Sequence, residues 1–192
     1  MSARVKYRDI ARAIARENYG YITTQDAKDA GIPAGELPKL AARGGLENIS
    51  YGLYRFTDTL PTPYDQYTEA LIRVGQGSYL YGESVLALFN LADANPRSIT
   101  IATPARTRAS LPPFIRVIHM KKAGKTTIYE GLPSQTVCDA LQACLGKIDY
   151  DKLMGAVQQS YTEGLLTTRQ YRHVTQEFTA WPTQPRPQTS TH

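Results

Sequence analysis

Residues Gly20 to Phe56, GYITTQDAKDAGIPAGELPKLAARGGLENISYGLYRF, decide how the chain is read. Tyr21 and Ile22 are a short extended piece, and Thr23 followed by Asp26 has the spacing of a capping pair that starts a helix running to Ala30. Gly31 ends that helix, and Gly31-Ile32-Pro33 is a three-residue turn. Glu36, Leu37, Leu40 and Ala41 then recur at helical spacing through Arg43, and Gly44-Gly45 closes this second helix. Pro38 would break a helix that began at Pro33, because it has no N–H and collides with the carbonyl four residues back. The helix is therefore expected to start near Glu36, with Pro38 in its first turn. Leu46 to Ile49 and Leu53 to Phe56 are two apolar runs around Ser50-Tyr51-Gly52, the pattern of a hairpin.

Two short helices at a tight turn followed by a two-stranded hairpin predict a winged helix-turn-helix over residues 1–56. In such a unit the second helix enters a major groove and the wing lies over the neighbouring backbone. Lys39 and Arg43 are four apart and share one face of that helix, opposite Leu37, Leu40 and Ala41. Tyr51 and Arg55 are placed on the wing. Arg4, Arg8, Arg12 and Arg16 recur every four residues on a first helix whose apolar face is Tyr7, Ile10, Ala11 and Ile14. Four like charges at that spacing repel, and a phosphate backbone relieves the repulsion. Lys39, Arg43, Tyr51, Arg55, Arg8, Arg12, Arg16 and Lys28 are thus the expected DNA-binding residues.

Several segments carry a resemblance. Gly31-Ile32-Pro33, Leu37, Leu40, Arg43-Gly44-Gly45-Leu46 and Gly52-Leu53-Tyr54-Arg55 resemble the N-terminal domain of AbiEi-type antitoxins of bacterial type IV toxin-antitoxin pairs. Glu83-Ser84-Val85-Leu86-Ala87-Leu88 is similar to that family's Ser-Ala-Leu-Ala segment, and Val137-Cys138-Asp139-Ala140-Leu141 to a helix that opens with an Asp. Pro38 and Val85 depart from the pattern. The resemblance implies a repressor of its own operon that binds double-stranded operator DNA at inverted repeats. It also implies a second domain that neutralises a cognate nucleotidyltransferase-like toxin.

The 192 residues carry a net charge of +5, and the length accommodates one large or two small domains. Residues 1–56 hold nine Lys or Arg against six Asp or Glu, a net of +3. Thr57 to Pro63, with two prolines and no periodicity, is expected to be a linker. Residues 64–181 then read as an α+β domain with a small sheet and several helices. Its expected helices include one opened by Pro133-Ser134 and others capped near Asp149 and Thr167. Residues 182–192 read as a disordered tail. Arg97, Arg106, Arg108, Arg116, Lys121, Lys122 and Lys125 form a run free of Asp and Glu; all but the first are expected to compose a second basic patch.

No apolar run reaches a membrane-spanning length and the N-terminus lacks a secretory h-region, so a cytoplasmic protein that does not enter membranes is expected. Cys138 and Cys144, with three scattered histidines, make neither a disulfide nor a zinc pattern. Gly77-Ser78 is followed only by Glu83, without the paired carboxylates of a nucleotidyltransferase. No phosphate-binding glycine loop or nucleophile elbow is present. The sequence is therefore read as that of a non-enzyme without cofactor or metal. A protein-binding module that docks an acidic partner or the toxin directly, without sequence-specific DNA binding, is the alternative. An enzymatic second domain is the third reading, and it lacks a recognisable site.

Overall fold

A computed structural model of the chain describes residues 6–106, 110–121 and 124–181. Among these the architecture is α+β, with eight helices and two sheets. Contacts divide it into two compact units: residues 1–76, 107–111 and 128–132 in the first, the remainder in the second. Arg4, Arg108, Lys122 and the tail 182–192 fall outside the described residues.

The first unit runs α1 (Tyr7–Arg16), β1 (Tyr21–Thr23), α2 (Thr24–Asp29), α3 (Glu36–Ala42), β2 (Leu46–Ser50), β3 (Leu53–Phe56) and α4 (Asp65–Val74). The start of α2 is fixed locally. Thr23 Oγ1 accepts the Asp26 N–H (3.0 Å) while Asp26 Oδ2 accepts the Thr23 N–H (2.9 Å), a reciprocal capping box. Its end is equally local: Gly31 (φ +74°) donates to Lys28 O, and Ile32 donates to Ala27 O. This is a Schellman motif, and it seats buried Ile32 against buried Ala27. Helix α3 ends the same way, with Gly44 (φ +76°) donating to Ala41 O and Gly45 to Leu40 O. Pro38 is the third residue of α3, where no intrahelical N–H bond is lost.

The hairpin of β2 and β3 acquires a third strand. β1 pairs antiparallel with β3, in the order β1-β3-β2, with Tyr21 opposite Arg55 and Leu46 opposite Phe56. An irregularity between Asn48 and Ser50 shifts the register near the tip. Ala11 and Ala15 of α1, Ile22, Leu37 of α3, Tyr54 and Phe56 share one core cluster, each large side chain contributing about 1.5–3 kcal/mol by burial.

The Thr57–Pro63 stretch, expected as a linker, does not divide the units. Thr57 Oγ1 donates to Gly44 O (2.9 Å), Asp58 is bonded to Arg12, and Thr62 Oγ1 donates to Asp65 Oδ1 at the start of α4. Two prolines make this segment irregular, but its side chains tie it down, and the contact boundary falls after Gln76.

The second unit contains β4 (Tyr79–Leu80), α5 (Glu83–Leu88), β5 (Ile99–Thr103), β6 (Ile115–His119), β7 (Thr126–Tyr129), β8 (Leu132–Gln135), α6 (Val137–Cys144), α7 (Tyr150–Thr162) and α8 (Thr168–Ala180), with the hairpin tip 128–132 grouped in the first unit. The sheet order is β6-β5-β4-β8-β7; β6 is parallel to β5, and β8 to β4. Pro133 and Ser134 do not open a helix, as the sequence suggested. They belong to β8, where Ser134 lies opposite Leu80. Thr136 starts α6 instead, its Oγ1 accepting the Asp139 N–H (3.3 Å). Asp149 caps α7, and Thr167 caps α8 through a capping box with Gln170. No helix among the described residues is long and apolar enough to cross a membrane.

The left-handed glycines before β1 and after α2 separate strain from clash. Gly31→Ala meets nothing within 4 Å and should cost only the conformational penalty of about 1–2 kcal/mol. Gly20 (φ +88°) is different, because an added Cβ would come 2.7 Å from Thr59 Cγ2. Gly20→Ala is expected to be clearly the more destabilising of the two in urea unfolding; equal losses would contradict the packing described for Thr59.

Candidate nucleic-acid interface

Leu37 anchors α3 to the core, so the opposite side of this seven-residue helix exposes Pro38, Lys39, Ala42 and Arg43. Beside it a surface groove of about 610 Å³ is lined by Lys6 and Arg8 from the start of α1, by Arg43, and by the acids Glu36 and Asp58. Both acids have cationic partners. Lys39 Nζ donates to Glu36 Oε1 (2.8 Å), and Arg12 donates to Asp58 through both terminal nitrogens (3.0 and 2.7 Å). Those hydrogen bonds hold Asp58 below its ordinary carboxylate range and raise Arg12. Lys6, Arg8 and Arg43 form no ion pair among the described residues, so they are the source of the groove's positive field. The Lys39–Glu36 pair is exposed and therefore weakly held, leaving Lys39 free to exchange partners.

Two of the expected DNA-binding residues are turned to internal partners. Arg12 lies over the Phe56 ring, 4.7 Å from its centroid, while paired with Asp58. Arg55 pairs with Asp65 of α4 and lies 5.4 Å from the Tyr21 ring centroid, largely removed from solvent. Each has a physical reason. Side chains four apart on a helix drift about 40° per step, which carries Arg12 toward the segment after β3. Arg55 belongs to the central strand and reaches Asp65 at the start of α4. Arg73, also on α4, pairs with Glu69 and donates to Ile49 O at the irregular end of β2 (3.2 Å).

The other expected residues are at the surface. Tyr51 is fully exposed at the hairpin tip. Gly52 (φ +72°) makes that turn, and its carbonyl accepts the Thr24 N–H (2.8 Å), anchoring the tip to the start of α2. Arg16 and Lys28 are exposed in the last turns of α1 and α2 and do not line the groove. Lys6 was not singled out by the sequence pattern, because it precedes α1 and breaks the four-residue rhythm. Its place two residues before Arg8, lining the same groove as Arg43, becomes visible only once α1 and α3 are packed.

The basic residues of the second unit are spread out. Arg106 and Lys121 follow β5 and β6, whose last residues, Thr103 and His119, are register partners. Arg116 faces Thr100 near the other end of β5, and Lys125 accepts the Thr136 N–H on its carbonyl (3.2 Å). Arg108 and Lys122 fall outside the described residues. Cys138 and Cys144 are free and buried. Burial pushes the Cys144 thiol up to about 12, and no group of three His, Cys, Asp or Glu among the described residues is placed to hold a metal ion.

No protein-family model and no curated protein matches the chain. Among solved structures it is similar to the crystal structure of RV2827C protein from Mycobacterium tuberculosis, with 14% identity and a TM-score of 0.49, over 91% of this chain and 73% of that one.

The division between paired and unpaired cations is measurable as stability. Arg55→Ala removes the cationic partner of the partly covered Asp65 and should cost about 1–3 kcal/mol in denaturant unfolding, whereas Arg8→Ala and Arg43→Ala should stay within about 0.5 kcal/mol of the parent. The buried thiol gives an alkaline signature. Below the ordinary thiol value of 9.0 the Cys144 S–H is intact in both folded and unfolded chains; between 9.0 and about 12 only the unfolded chain ionises, so stability falls as pH rises. The expected slope from this thiol is up to about 1.4 kcal/mol per pH unit, and Cys144→Ala should remove that share, read between pH 9 and 10, before Tyr21, itself pushed up to about 12 by burial, adds its own.

Proposed function

We propose that residues 6–56 act as a winged helix-turn-helix that reads double-stranded operator DNA, and that the chain is a cytoplasmic antitoxin-type repressor of the AbiEi kind. In this reading the second unit serves to neutralise a nucleotidyltransferase-like toxin. The observation that supports it best is the placement of Lys6, Arg8 and Arg43, none of them ion-paired among the described residues, around one groove beside the exposed side of α3. With Glu36 and Asp58 already paired, the groove is net positive, which raises the local concentration of a polyanion and orients it.

Docking in this reading uses α3 and the hairpin tip. Helix α3 lies in the major groove with Lys39 and Arg43 toward base edges, Lys39 exchanging Glu36 for a base or phosphate. Lys6 and Arg8 neutralise phosphates flanking the groove, and Tyr51 on the hairpin tip meets the backbone on the other side. With seven residues α3 is roughly 10 Å long and spans about three base pairs. One copy therefore reads little sequence, and specificity requires a second copy on an inverted half-site.

The test is a set of single substitutions titrated against the fragment upstream of the gene. Arg43→Ala and Lys39→Ala should each weaken binding to that fragment by about 1–3 kcal/mol and relax discrimination against unrelated DNA. Arg8→Ala should weaken all sequences alike and reduce the salt slope by about one unit. Indifference to all three substitutions would remove the groove as the DNA surface and favour the protein-binding alternative.

A further inference from the structure

The second unit contains a cavity of about 110 Å³ that the DNA-binding reading does not use. Arg116 from β6 and Lys147 from the connection after α6 line it, together with Tyr81, Glu83, Thr100 and the buried Cys144. The two cations are distant in sequence and are brought to one concavity only by the fold. Lys147 Nζ donates to the Ala143 carbonyl (2.7 Å), which leaves two further N–H donors on the ammonium. Glu83 is ion-paired with neither cation.

Arg116 stands apart from the arginines that are held in place elsewhere. Arg12, Arg55 and Arg73 each have a carboxylate at 2.7 Å or less, whereas Arg116 has no such partner among the described residues and lines a cavity that a second cation also lines. Two exposed cations lining one concavity give it a positive field that attracts an anion. The volume exceeds the space of a single water several times over, enough for a phosphate group and part of what it is attached to.

We propose that this cavity binds a compact phosphate-type oxyanion, gripped by the Arg116 guanidinium and the Lys147 ammonium, with the Tyr81 and Thr100 hydroxyls as further donors. The shared chemistry is a tetrahedral dianion or its monoester, and Arg is suited to it by its planar fork of donors. Cys144 contributes a neutral wall, and Glu83 at the rim opposes the anion and sets an upper limit on its affinity. The site is independent of the proposed DNA groove, and neither reading depends on the other.

The full-length protein would be titrated by calorimetry with inorganic phosphate and, separately, with adenosine monophosphate, at constant ionic strength. Saturable binding with one site per chain is expected for at least one of them. Arg116→Ala and Lys147→Ala should each weaken it by at least about tenfold, and Glu83→Gln should strengthen it, which a merely structural role for these residues would not produce. Thermal unfolding of each variant checks that it folds, and Lys147→Ala carries the test if Arg116→Ala does not. Displacement of phosphate by the nucleotide would identify a phosphate ester as the ligand; phosphate binding that the nucleotide does not displace would identify the free ion. Absence of saturation with both probes, or saturation unchanged in folded Arg116→Ala and Lys147→Ala, would overturn the proposal.

Discussion

Phe56 on the central strand β3 is the side chain around which the first unit is assembled. It is 2% exposed, in one cluster with Ala11 and Ala15 of α1 and Leu37 of α3, and the Arg12 guanidinium lies against its ring. Its backbone N–H donates to Gly20 O (2.9 Å), the left-handed residue that leads into β1. One residue thus ties the third strand to the sheet and seats two helices. Because the small residues Ala11 and Ala15 face the core, α1 can pack closely, and this brings its first turn beside the end of α3. The basic groove follows from that packing rather than from any local feature of the helices.

The same packing sorts the cations by role. Arg12, Arg55 and Arg73 are joined to carboxylates and to aromatic rings or backbone carbonyls, so they hold the hairpin, the segment after it and α4 together. Asp65 and Glu69 are largely covered, so removing Arg55 or Arg73 deprives a covered carboxylate of its cation, whereas Asp58 is exposed and Arg12 is held as much by its place over the Phe56 ring. Lys6, Arg8 and Arg43 have no such obligation. A surface that keeps its structural arginines neutralised while leaving a few cations unpaired on one side concentrates its field where the fold exposes a helix. That distribution is more informative than the modest net charge of the segment.

What the sequence made legible was local. The capping box of Thr23 and Asp26, the two glycine stops after α2 and α3, the start of α3 imposed by Pro38, and the turn at Gly52 each depend on residues within a few positions, and each occurs where the chemistry placed it. Lys39, Arg43 and Arg8 were legible as exposed cations for the same reason. The partners of Arg12 and Arg55 were not, because Asp58 is 46 residues from one and Asp65 is 10 from the other, across strand and helix boundaries. Strand β8 was misjudged because Pro133 resembles a helix opener, while its neighbour β4 is more than fifty residues earlier in the chain. The basic run from Arg97 to Lys125 is dense in sequence, but β5 and β6 carry its members to different ends of the sheet.

The central claim is that the groove between α1 and α3 reads DNA sequence and does not merely attract polyanions. Titration of the purified protein against its upstream promoter fragment and a scrambled fragment of equal length, at two salt concentrations, separates these possibilities. The account predicts tighter binding to the promoter that persists at the higher salt, because base contacts from α3 add to a small number of phosphate contacts. Equal binding to both fragments that vanishes at the higher salt would contradict it.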